Sequence, residues 1–315
     1  MQNELFPIEL GRKLTVLSYG GGQDSTAILY KLIHDKEFRA KYAPEELVVV
    51  MADTNNEHKE TYDYVEIVKE ICALHDIPFV FLQEYATGDW KKGLIAFYKA
   101  KNVVGSKAFR KTCTMRLKIN PIYNWLDQYL HEMYGTTVKG NKKAIRQFAL
   151  NHGKIDVLIG IARDEEKRAG TNEESKHRWM RESINKRYPL IEIGYNRQDC
   201  QDYITSLGYA IPLPSNCILC PFMSKQELLY LFRNMPEWYF KWVTLEANKI
   251  LKFGIPGNER KTQKKNGDIG DNLGVWGKKL LPEILKEAEE EFGHMTTEEL
   301  HEYKMSHGHC VKSKY

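Results

Sequence analysis

Short unbroken apolar runs alternate along this chain with longer stretches in which apolar positions recur at helical spacing. Leu14-Thr-Val-Leu17 opens the pattern, and Ala27-Ile-Leu-Tyr-Lys-Leu-Ile33 continues it as a helix. Glu46-Leu-Val-Val-Val-Met51 is continuously apolar, as a parallel strand buried on both faces must be. Residues 60–75 place Tyr64, Ile67, Val68 and Ile71 on one side of a helix, and Pro78-Phe-Val-Phe-Leu82 predicts a third strand. Ile155-Asp-Val-Leu-Ile-Gly160 predicts a fourth and Tyr188-Pro-Leu-Ile-Glu-Ile193 a fifth. Residues 199–207 read as a short helix closed by Gly208, and residues 135–154 as a helical excursion from the sheet. Strands alternating with helices in this way predict an α/β fold, a doubly wound and mostly parallel sheet of Rossmann-like type.

From about Lys225 the texture changes. Residues 226–232 and 236–253 are amphipathic helices, the second rich in aromatics (Trp238, Tyr239, Phe240, Trp242), of which the tryptophans read as core. A Gly-, Asn- and Lys-rich loop covers 254–274, and residues 280–292 and 297–304 are further helices. The expected division is an α/β nucleotide-binding domain over 1–222 and a helical region over 223–315.

Between the first strand and first helix lies Ser18-Tyr-Gly-Gly-Gly-Gln-Asp-Ser-Thr26. A strand, a glycine-rich turn and a helix present free backbone N–H groups to phosphate. Gly20, Gly21 and Gly22 remove side chains that would block close approach. Ser18, Ser25 and Thr26 add hydroxyls, and Asp24 could hold a magnesium ion between phosphates. The order of residues is not that of G-x-x-x-x-G-K-[ST], and no G-x-G-x-x-G is present.

Composition narrows the setting. With 42% hydrophobic and 28% charged residues in 315, the chain can bury a sizeable core beneath a polar surface. No apolar run reaches the roughly 18 residues of a membrane span, and residues 1–7 lack the pattern of a secretory signal. The expectation is a cytoplasmic protein with no membrane partner. A net charge of +4 does not by itself call for nucleic acid. The basic stretches 139–146 and 249–265 read first as solvated faces, with a tRNA or DNA partner left open. Six cysteines in such a chain are not a disulfide framework. Cys72 falls on an apolar helix face and Cys200 has no partner in sequence, whereas Cys217-Ile-Leu-Cys220 has ligand spacing.

The glycine loop resembles the PP-loop, S-x-S-G-G-x-D-S, of the adenine nucleotide α-hydrolase superfamily, with Gly20 in place of its second serine. Further stretches are similar, in order, to the phosphoadenosine-phosphosulfate (PAPS) reductase branch. Met51 to Thr61 resembles its D-T-G-x-E-x-x-E-T segment, with Asn55 for the glycine; Cys113-Thr-Met-Arg-Leu-Lys-Ile-Asn-Pro121 matches C-x-x-x-L-K-x-x-P. Gly160 to Arg163 resembles a G-x-R segment, and Tyr188 to Ile204 matches P-L-x-x-W-x-x-x-D-V-x-x-Y-I with Ile193 for tryptophan. Ile211 to Phe222 matches P-x-x-P followed by G-C-x-x-C-P-F, with Asn216 for glycine. The resemblance covers residues 14–222, roughly two thirds of the chain.

The resemblance implies ATP with Mg²⁺, bound by the loop together with Asp53, Thr54, Gly160 and Arg163. The α–β bond would be cleaved to adenylate an acceptor, with Lys118, Arg163 or Arg168 neutralising developing charge, and sulfur transfer would follow. Cys113, Cys217 and Cys220 would hold a four-iron (4Fe-4S) cluster with one open iron. The residues also allow zinc, with Cys310, His307 or His309 as fourth ligand, or plain reduced thiols. Cys310, in Ser306-His-Gly-His-Cys310, resembles the C-terminal nucleophile of PAPS or adenylyl-sulfate reductases in a different residue order. A reductase is therefore one alternative, and a nucleotide-binding subunit without chemistry of its own another. Retention of Gly-Gly-Gln-Asp-Ser favours ATP over PAPS. The expected partners are a nucleic acid or small-molecule acceptor, a sulfur donor such as a cysteine desulfurase, and a second copy of the chain as a homodimer.

Overall fold

The computed structural model describes residues 13–108, 112–136, 140–171, 173–253, 261–263, 269–271 and 274–307. The chain runs β1 (Leu14–Ser18), α1 (Gln23–His34), α2 (Lys36–Tyr42), β2 (Glu46–Ala52), α3 (Lys59–Leu74), β3 (Phe79–Leu82) and α4 (Gly93–Lys101). It continues through α5 (Asn120–Met133), α6 (Lys143–His152), β4 (Ile155–Ile159), α7 (Arg178–Ser183), β5 (Ile184–Arg187), α8 (Pro189–Glu192) and α9 (Arg197–Ser206). Helices α10 (Lys225–Asn234), α11 (Pro236–Phe253), α12 (Leu281–Phe292) and α13 (Thr297–Ser306) follow, with a small antiparallel pair, β6 (Lys261–Gln263) and β7 (Ile269–Asp271), between α11 and α12.

The five long-range strands form one wholly parallel sheet in the order β3-β2-β1-β4-β5. Alternation along each strand divides its side chains between two cores. Leu17, Val49 and Met51 pack against α1, α3 and α9, while Val16, Val48, Val50 and Val157 pack against α5, α6 and α7. The chain winds outward from β1 to β3, then returns to place β4 on the other side of β1. A crevice must open at the carboxyl ends of β1 and β4, where neighbouring connections leave in opposite directions. The glycine turn occupies that crevice.

A third core joins α10, α11 and α12 to α4 and to residues on both sides of position 222: Leu94, Tyr98 and Leu117 pack with Ile218, Leu219, Leu228 and Trp242. Capping boxes begin α9 (Asn196 with Asp199), α10 (Ser224 with Glu227) and α13 (Thr296 with Glu299), each satisfying backbone donors that a helix start leaves unpaired. Among the described residues, no helix is long and apolar enough to cross a membrane.

Two sequence expectations need correction. The fifth strand is Ile184–Arg187, and the expected strand 188–193 is instead the short helix α8. Pro189 explains the shift: its fixed φ suits the first helical position, and it lacks the N–H a ladder would need. On α3 the buried stripe runs through Thr61, Tyr64, Val65, Val68, Ile71 and Cys72, leaving Ile67 47% exposed. On α11, Tyr239 and Trp242 are core and Phe240 is 57% exposed.

Candidate nucleotide and thiol site

The loop is held by its own residues. Gly21 has φ +73°, a conformation that side chains disfavour, and a Cβ there would stand 2.9 Å from Thr61 Cγ2. Ser25 Oγ accepts from the Gly20 N–H (3.1 Å) and donates to the Gly22 carbonyl (3.1 Å). Thr26 Oγ1 also donates to that carbonyl (2.9 Å) and bonds the Tyr19 hydroxyl (2.9 Å), so it is committed to the loop's interior. The N–H groups that open α1 are those a helix leaves without intrahelical acceptors. Across the crevice, a Cβ on Gly160 would stand 2.7 Å from Ser25 N, so only glycine lets β4's end approach the loop this closely.

Gln23 points the other way. Its Nε2 donates to the carbonyls of Pro212 (3.1 Å) and Met305 (3.2 Å), and its Oε1 accepts from Gln201 (3.0 Å). One residue before Met305, buried Lys304 places Nζ 3.0 Å from His58 Nε2, at the start of α3. Burial lowers the Lys304 pKa to about 8.

The loop forms one wall of a cavity of about 680 Å³, within the range of small-molecule sites. Ser18, Gly20, Gly22, Gln23, Asp24 and Ser25 line it, as do Thr54, Lys118, Gly160, Cys113, Cys217 and Cys220. Farther along the same face of the sheet it is walled by Tyr123, Asn124, Lys142, Trp179 and Lys186. The rings of Tyr123 and Trp179 meet edge-on with centroids 5.2 Å apart, and Lys142 Nζ stands 5.9 Å from the Trp179 ring.

Asp24 accepts from the Ala162 N–H and faces Arg197 at 3.8 Å. Arg197 in turn pairs with Glu165 at 3.0 Å, and Glu165 with Arg168. The cations lining the cavity near the loop are thus Lys118, Arg168 and Arg197, whereas Arg163 is exposed and outside it. Arg197 was not singled out from sequence. A cation in the first turn of a helix opposes the helix dipole, and that misplaced charge is the signal that could have found it. Asp53 also stands apart from the cavity: its Oδ1 accepts from the Asn55 N–H (2.8 Å) and the Tyr62 hydroxyl (2.8 Å), closing the turn after β2.

Burial raises the Asp24 pKa from the usual 3.8 to about 6, opposed by Arg197. Between those values the folded chain holds a proton the unfolded chain has released, so folding loses stability as pH rises through that window. Asp24→Asn is expected to melt above the parent at pH 7, the gain disappearing below about pH 4, as thermal melts across that range would show.

The thiols reach the cavity from two segments. Cys113 precedes a single π-helical turn, Thr114–Ile119, that runs into α5 and carries Lys118. Cys217 is paired antiparallel with Glu57, and the Ile218 N–H donates to the Asn56 carbonyl (2.8 Å). Lys118 Nζ is 3.1 Å from Glu57 Oε1, which lies 3.8 Å from Cys217 Sγ and accepts from Thr54 Oγ1 at 2.9 Å. Burial pushes the Cys217 thiol well up; Glu57 pushes it further and Lys118 opposes. Cys113, Cys217 and Cys220 all line the cavity, so the three share one neighbourhood. Cys72 and Cys200 are fully buried elsewhere.

Among the described residues, no three His, Cys, Asp or Glu side chains are close enough to hold a single ion as they stand. A four-iron cluster takes its thiolates on separate irons and so accepts a wider spacing. Three thiols on one cavity wall, from Cys113, Cys217 and Cys220, are the donor chemistry such a group takes, and the set fits it. His307 is exposed and stacks on Tyr303 at 4.2 Å, while His309 and Cys310 lie outside the described residues.

No protein-family model matches the sequence, and no curated protein is similar to it. Among solved structures, the U34-tRNA thiolase NcsA from Methanococcus maripaludis, with its [4Fe-4S] cluster, is similar at 13% identity and a TM-score of 0.39. The match spans 92% of this chain and 75% of that one. A likeness so loose leaves the site to its own residues.

Proposed function

We propose that this chain is an ATP-dependent enzyme, similar to the PAPS reductase branch, that adenylates an acceptor for sulfur transfer. The observation that carries the reading is that a phosphate-cradling loop and three thiols open on one cavity. Backbone N–H groups fixed before reaction favour the charge that develops on a departing pyrophosphate. The acceptor's oxygen, losing its proton, bonds the α-phosphorus; the bond to the bridging oxygen breaks, and its electron pair leaves with pyrophosphate. Lys118, Arg168 and Arg197 stand where that charge gathers, and Asp24 would hold Mg²⁺. Asp53 would have to release Tyr62 to reach the nucleotide. A sulfur nucleophile then displaces AMP from the acceptor. Cys113, Cys217 and Cys220 would hold a four-iron cluster, which when bound supplies an open iron where sulfide is kept for transfer. Tyr123 and Trp179, with Lys142 beside them, suit a planar base at the far end of the cavity.

Anaerobically prepared protein is expected to be coloured, and to release pyrophosphate from Mg²⁺-ATP once its acceptor is present. Colourless protein with stoichiometric zinc would remove the sulfur-carrying part of the reading. Conversion of PAPS to sulfite with thioredoxin would replace it with a reductase.

A further inference from the structure

Ser215 belongs to the segment that carries the cysteine pair, yet its hydroxyl is part of the glycine loop. Its Oγ donates to the Gly20 carbonyl at 2.6 Å, and Lys118 Nζ stands 3.5 Å from it. The backbones are equally close, since a Cβ on Gly22 would lie 2.6 Å from Ser215 N. At Gly20 the situation is different. A Cβ there would meet Ser215 Oγ at 3.4 Å and Ser25 Oγ at 3.8 Å, with no backbone atom among its nearest neighbours. A side chain at position 20 would therefore be accommodated, and it would use the volume that the Ser215 hydroxyl now fills.

We propose that Ser215 is a phosphate-binding residue, supplying to the loop the hydroxyl that Gly20 lacks, and that its ligand is the polyphosphate of a nucleotide. The proposal rests on the nucleotide reading of the loop. Ser215 lines the cavity beside Gly20, Gly22 and Lys118, so its hydroxyl can turn from the Gly20 carbonyl to a phosphate oxygen. While it bonds that carbonyl it also fixes the Gly20–Gly21 peptide plane, and with it the direction of the Gly21 N–H. Because Cys217 follows two residues later, the polyphosphate and the thiols would touch one strip of backbone, itself paired to residues 56 and 57.

The test is equilibrium dialysis of the full chain with Mg²⁺-ATP and with Mg²⁺-pyrophosphate, with thermal melts to confirm folding. Ser215→Ala is expected to bind both probes about tenfold more weakly, the loss of one hydrogen bond to a charged group. Adding Gly20→Ser to Ser215→Ala is expected to restore affinity to within about threefold of the parent, because the hydroxyl returns to the same volume. A merely structural role for Ser215 would not be rescued from position 20. Parent-like affinity in Ser215→Ala, or a folded double variant no better than Ser215→Ala, would overturn the proposal. A parent chain that binds neither probe would overturn the nucleotide reading itself.

Discussion

Gly160→Ala is expected to weaken ATP binding by about a hundredfold, the loss of loop hydrogen bonds to a charged phosphate. The three atoms nearest the new methyl are all backbone: Ser25 N at 2.7 Å, Ser25 Cα at 3.0 Å and Asp24 C at 3.1 Å. No side chain can rotate to relieve that contact. Nor can β4 retreat easily, since its register against β1 pairs Ile159 with Ser18 immediately before both loops. The start of α1 must move instead, carrying Asp24, Ser25 and the open N–H groups away from the crevice. Overpacking of this kind costs about 1–3 kcal/mol of stability, so the variant should remain folded while its affinity falls. Dialysis with ATP and a thermal melt measure the two effects separately. Unchanged affinity would mean that phosphate does not bind at the β1–β4 crevice.

Cys217→Ser is expected to lose the visible absorption of the anaerobic protein and sulfur transfer, by about three orders of magnitude, as when a residue acting within a unit is removed. Pyrophosphate release should survive within about threefold, since a nearly isosteric change leaves the loop in place. The separation follows from the geometry. Glu57 and Asn56 hold the backbone at 217 and 218 through the isolated bridge and the Ile218 N–H, and neither contact needs the sulfur. Only the sulfur can serve as a soft ligand. Sulfur transfer that persists in Cys217→Ser would remove the thiols from the reaction.

Much of the sheet was legible because buried parallel strands must be apolar on both faces. Leu14 to Leu17 and Leu47 to Met51 carry no polar residue except Thr15, and both are core strands. The edge strand escaped because Ile184-Asn-Lys-Arg187 buries only Ile184 fully, and nothing in four such residues announces a strand. By pattern alone the apolar run after it, 188–193, reads as the strand, and Pro189 is the residue that argues otherwise. The loop, Gly160 and Cys217 were legible as motifs, because their chemistry depends on residues adjacent in sequence. Arg197 and Ser215 were not, since each acts across a long stretch of chain. Ser215 meets Gly20 over 195 positions, and local pattern holds no record of that pairing.

The Gln23 side chain has a consequence for timing. The loop at residues 18–26 lies far from α13 in sequence, yet Gln23 finds one of its acceptors only at Met305, 282 positions later. Contacts at such separation form late, after local helices and sheet have begun to assemble. The sheet can therefore assemble while the glycine loop still lacks the clamp on its far side. Closure of the loop's far side therefore waits on the docking of α13 against α1.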